Sequence, residues 1–112
     1  MNIQITPENL LIQLGYPTTP VMMTQMEGIV ANTQGFDSFS KHILSLHDEL
    51  KHYGGYIAMS NSSAYLKVKT EHTRDEDVAP FLETLERWSE KYKVSLAKVE
   101  GKHTFYITGL SA

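Results

Sequence analysis

The chain contains no cysteine. Disulfides, thiolate catalysis and cysteine-based zinc or iron–sulfur sites are therefore excluded. Long apolar runs are missing as well, and no uninterrupted stretch approaches the ~20 residues a spanning helix needs. The N-terminus, Met1 to Asn9, lacks the basic start and apolar stretch of a secretory leader, so a cytoplasmic location is expected. Lys and Arg are absent from residues 1–35. That segment has no side chains to hold a phosphate backbone, which argues against a helix-turn-helix DNA reader.

The motifs of common chemistries are also missing. There is no Gly-x-Ser-x-Gly elbow, no phosphate loop, no dinucleotide glycine pattern and no paired HxxxH or HExxH. No catalytic residue, metal site or cofactor is expected, and the chain is read as a non-enzyme. Five histidines are present, but His42, His47 and His52 stand five apart on one helix. Each step turns by roughly 140°, so they fan out rather than converge. His72 lies near Glu71, Asp75, Glu76 and Asp77, a charged loop of the kind that is usually only solvated.

What is present describes an ordinary folded domain. Of 112 residues, 41% are hydrophobic and 21% charged, which suits a single soluble domain with its own core. The formal net charge of −3 argues against indiscriminate binding to nucleic acid or anionic membrane.

The most informative feature is a pattern stated twice. Phe39, Ile43, Leu46 and Tyr53 recur as Val78, Leu82, Leu85 and Tyr92, at a constant offset of 39 residues. The offset continues as Ile57, Ala58, Leu66 and Val68 recur as Leu96, Ala97, Phe105 and Ile107. Only three of the 31 positions from 40 to 70 match their counterparts in identity, so the repeat is one of burial.

Local signals divide the chain. Thr6-Pro7 and Thr19-Pro20 are helix starts, and Gly15 and Gly35 are the expected stops. Asp37 or Ser38 is expected to cap a third helix carrying Phe39, Ile43, Leu46, Leu50 and Tyr53, and Gly54-Gly55 to end it. Strands are expected over 56–60 and 64–70, around an Asn61-Ser62-Ser63 turn. Asp77 is the expected cap of a fourth helix, with Pro80 in its first turn. Strands over 94–99 and 103–108 follow.

The expected fold is α+β: an N-terminal helical pair (1–35), then an α-β-β-α-β-β unit (36–112) with a four-stranded antiparallel sheet. Its order is a circular permutation of the ferredoxin-like one. That adjacency makes the second strand of each hairpin central and puts helices three and four on one face. Alternation turns Ile57, Met59, Leu66, Val68, Val94, Leu96, Phe105 and Ile107 toward those helices. Tyr56, Ala58, Tyr65, Lys67, Lys69, Ser95, Ala97, Thr104, Tyr106 and Thr108 point the other way. The N-terminal helices either cover this second face or pack beside their neighbours.

The second face is the functional candidate, through Tyr56, Tyr65, Lys67, Lys69 and Tyr106. The leading expectation is protein–protein interaction, including homodimerisation through this face or an edge strand. An alternative is single-stranded nucleic acid, with tyrosines stacking bases and lysines meeting phosphates. A third is a small-molecule-binding regulatory domain, by analogy with similar sheets.

Overall fold

Threonine and proline together open the first two helices, as their residue types dictate. The structure, a computed structural model, describes residues 6–111; the first five residues, read above for a leader, and Ala112 lie outside the described residues. Helix α1 (Pro7–Leu14) follows Thr6, whose Oγ1 accepts the Asn9 amide proton at 3.2 Å. Helix α2 (Pro20–Asn32) follows Thr19, whose Oγ1 accepts from the Met22 amide, also at 3.2 Å. In each case the proline sits where its missing N–H has no helical partner to lose.

Helix α3 (Phe36–Leu50) starts earlier than Asp37 or Ser38 could cap it. The chain leaves α2 at Thr33, whose hydroxyl donates to the Ile29 carbonyl at 2.7 Å. Gly35, at φ +71, does not stop α2; it precedes α3 in the left-handed region. The reason is apolar. Phe36 is buried against Phe39, with ring centroids 5.6 Å apart, and draws the start of the helix back, from a cap at Asp37 or Ser38 to one at Gly35. A 3-10 turn (Lys51–Tyr53) extends α3, and Gly54 ends it.

Helix α4 (Asp75–Tyr92) likewise begins before its expected cap, so Asp77 lies inside the first turn with Asp75 and Glu76. Three carboxylates there complement the positive end of the helix dipole. Pro80 stands beyond the first turn, within the helix.

The strands are β1 (Gly55–Met59), β2 (Leu66–Thr70), β3 (Val94–Lys98) and β4 (Thr104–Leu110). They form one antiparallel sheet in the order β1-β2-β4-β3. The second strand of each hairpin is central, as the pattern predicts. Strand β4 runs past its expected end to include Gly109 and Leu110. A register shift at Ser95/Leu96 absorbs the extra residue, and the Leu110 amide donates to the Gln34 carbonyl at 2.8 Å. Gly109 has φ +135, and a Cβ there would lie 2.8 Å from that same carbonyl oxygen.

One buried cluster joins all four helices to one face of the sheet. Ile57, Met59, Leu66, Val68, Val94 and Ile107 are buried there, with Leu96 and Phe105 partly buried against them. Phe39, Ile43, Leu46 and Leu50 of α3 meet Val78, Phe81, Leu85 and Trp88 of α4. The repeat of burial is imperfect: Phe81, not Leu82, is fully buried in α4, and Leu96 and Phe105 are only partly buried where Ile57 and Leu66 are fully so. Its ring lies over Gly55, where a Cβ would come within 2.7 Å of it.

The N-terminal helices add Leu10, Leu11, Met26 and Ile29 to this same cluster. They pack beside α3 and along β1, so the opposite face of the sheet has no helix on it among the described residues. No helix of the described residues is long and apolar enough to cross a membrane.

Candidate functional site

The strand register lays out the open face row by row. Ala58, Lys67, Tyr106 and Ala97 form one row across all four strands. Tyr56, Lys69 and Thr104 form the next. Tyr65 stands just before β2, its ring centroid 6.2 Å from that of Tyr106 and tilted by 37°. All five residues singled out in the sequence therefore share one face: Tyr56, Tyr65, Lys67, Lys69 and Tyr106. All are half-buried, by neighbouring strands rather than by helices. Small Ala58 and Ala97 flank the Lys67–Tyr106 pair and leave it accessible.

The β1–β2 turn reaches over one end of this face. Ser62 Oγ and the Tyr106 hydroxyl share a hydrogen bond of 3.0 Å, and Ser60 Oγ in turn lies 3.2 Å from Ser62 Oγ. The phenol of Tyr106 is pulled down to about 8, chiefly by Ser62, with Ser63, Ser60 and Lys67 acting the same way. A hydroxyl that donates to the phenolate favours the charged form. Of the three serines, Ser62 is the one in hydrogen-bonding geometry. Ser63 Oγ is buried without a partner, so the Ser62 contact carries the effect.

Between this turn and the β3–β4 turn lies a half-open cleft of about 270 Å³. Its floor is Lys67, Lys69, Thr104 and Tyr106, and Lys102 closes it from the far turn. No carboxylate lines it. Among the described residues the ion pairs are Lys51–Asp48 and Arg74–Glu76, so all three cleft lysines are unpaired. The sequence reading did not bring Lys102, Ser60 or Ser62 to this face. They sit in turns, where residue type signals a bend and nothing about what the bend overhangs.

The edges of the sheet differ. The outward amide of Ile57 donates to Nδ1 of His47 at 3.0 Å, and that of Met59 donates to the Tyr16 hydroxyl at 3.1 Å. Strand β1 is thus closed to a further strand. Strand β3 has a neighbour on one side only, and its register shift and Lys98 blunt it.

The histidines do not converge. His42 stacks on Tyr92 at 3.8 Å, and burial followed by Lys41 and Lys91 lowers its pKa. His47 is buried at the β1 edge, and His52 is exposed. The ring of His72 packs over Gly54. No three His, Asp or Glu side chains among the described residues are placed to hold a metal ion. Comparison with family models, with curated proteins and with solved structures finds no match.

Proposed function

We propose that the protein is a non-enzymatic docking domain, of permuted ferredoxin-like kinship, that binds a protein partner on its open sheet face. The observation that carries this reading is the Tyr65–Tyr106 pair, 6.2 Å apart on a face without a helix. Tyrosines bury large areas and keep a polar tip, which suits them to the centre of an interface. Lys67 and Lys69 set the sign of the partner, which should present carboxylates. A twofold self-dock of this face would bring the lysines close to their own copies. A second copy would have to use the β3 edge, which the register shift and Lys98 blunt.

The unpaired lysines also favour a second reading, single-stranded nucleic acid stacked on Tyr56, Tyr65 and Tyr106. One titration separates the two. A short glutamate-rich peptide carrying one aromatic residue should shift the backbone amides of Tyr65, Lys67, Lys69 and Tyr106, and Tyr65→Ala should weaken it. A short oligonucleotide that binds more tightly than the peptide, with strong salt dependence, would favour the second reading. A peptide that leaves those amides unmoved removes the first. Light scattering over a wide concentration range reports self-association at the β3 edge.

A further inference from the structure

The cleft beside the tyrosines is small. Sites for drug-sized ligands run from roughly 300 to 1,000 Å³, and this one is about 270 Å³ and half open. Its charge is unusual for so small a space. Lys67 and Lys69 stand two residues apart on one strand, so their side chains leave the same face at neighbouring positions, roughly 7 Å apart at their bases. Lys102 approaches from the opposite turn. Like charges held this close repel, and among the described residues none of the three forms an ion pair. In an acidic chain with thirteen Asp and Glu, the cleft gathers three lysines and no carboxylate in its lining. Hydroxyls complete it: Ser62 and Tyr106 at one end, held together at 3.0 Å, and Thr104 on the floor. Three ammonium groups with hydroxyl donors between them match the charge and hydrogen-bonding needs of a compact oxyanion carrying about two negative charges.

We infer that this cleft binds a phosphate dianion, either free phosphate or the terminal group of a small phosphate monoester. Lys67, Lys69 and Lys102 supply the charge; Thr104 and one hydroxyl of the Ser62–Tyr106 pair, the one not donating within the pair, donate to the remaining oxygens. The site shares Lys67, Lys69 and Tyr106 with the docking face but needs no macromolecule on the tyrosines, and Lys102 and Thr104 belong to it alone.

The test is a two-dimensional amide NMR titration of the full chain at neutral pH and low ionic strength, with inorganic phosphate and, in parallel, adenosine 5′-monophosphate. Saturable shifts should be confined to the two turns and the centres of β2 and β4, and sodium chloride at matched ionic strength should not reproduce them. Lys69→Gln and Lys102→Gln should each weaken binding about tenfold, the loss of one charge-assisted hydrogen bond. Lys51→Gln, whose lysine faces Asp48 elsewhere, should leave it unchanged. Lys102 is in an exposed turn, so its variant decides the matter even where Lys69→Gln disturbs the fold. Tighter binding of the nucleotide identifies a monoester as the ligand; equal binding identifies phosphate itself. Shifts that never saturate, that spread over every lysine of the surface, or that survive Lys102→Gln undiminished would overturn the site.

Discussion

Nδ1 of His47, on a helix, accepts the outward amide proton of Ile57, on the edge strand β1, at 3.0 Å. The imidazole thus stands where the next strand of a sheet would be. It can do so only while Nδ1 is unprotonated. Burial, then Lys51, holds its pKa below the ordinary 6.5, with Asp48 opposing. The folded chain therefore resists protonation more than the unfolded chain does. Stability from this group is complete above about pH 6.5 and is lost as the pH falls below it. His47→Ala should cost about 1–3 kcal/mol in urea denaturation, the price of an unpaired buried amide. His47→Asn places an oxygen near the position of Nδ1 and cannot titrate. It should be less destabilising than alanine and should show a smaller loss of stability between neutral and mildly acidic pH than the wild type. The residual slope contains His42, which shifts in the same direction.

Three glycines separate backbone strain from crowding. Gly109 combines φ +135 with a Gln34 oxygen 2.8 Å from the site of a Cβ. Gly109→Ala should cost more than about 2 kcal/mol, since strained backbone alone accounts for about 1–3. Gly101 has φ +77 and open space, so Gly101→Ala should cost only about 1 kcal/mol. Gly28 lies inside α2 with open space around it. Gly28→Ala should stabilise by about 0.5–1 kcal/mol. Chemical denaturation of the three variants should give that order.

The same contrasts explain what the sequence makes legible. Helical spacing of Phe39, Ile43, Leu46 and Leu50, and alternation through Ile57, Met59, Leu66 and Val68, are properties of contiguous segments. They predict the buried positions and the strand order that places Tyr65 and Tyr106 together. Gly109 is different. A glycine directly after an expected strand end signals a stop, and only the Gln34 backbone opposite explains why the strand continues through it. Gly35 resembles a helix stop by type, yet the burial of Phe36 makes it a helix start. His47 lies on a helix whose charged neighbours suggest solvent; its edge-capping role depends on where β1 lands. The cleft lysines are legible singly, but their convergence with Lys102 needs the β3–β4 turn in three dimensions.

Tyr106 should be distinguishable from the other tyrosines by its titration. Its phenol ionises at about 8, held there first by Ser62. Ultraviolet difference absorbance against pH should show one tyrosine ionising near that value. Ser62→Ala should move this transition up toward the ordinary phenol value of 10. Lys67→Gln should move it in the same direction by less, because Lys67 acts through space and contributes least among the lowering influences. A titration with no phenol ionising below the ordinary range would remove the Ser62 contact from the description of the site.

The open face makes its own prediction about stability. Tyr65 touches Tyr106 but no helix covers the pair, whereas Phe39 is 1% exposed between α3, α4 and the N-terminal layer. Truncating a fully buried phenylalanine removes its transfer energy and leaves a cavity, so Phe39→Ala should cost about 3–5 kcal/mol. Tyr65→Ser removes a cross-strand aromatic contact worth about 0.2–1 kcal/mol and creates no cavity. Its denaturation midpoint should therefore lie close to the wild type. Should Tyr65→Ser instead approach the cost of Phe39→Ala, the ring would have to be packed under other parts of the chain, and the face could not serve as a docking surface. A small cost leaves the Tyr65 ring, beside Tyr106, free for contacts outside the fold, as the docking proposal requires.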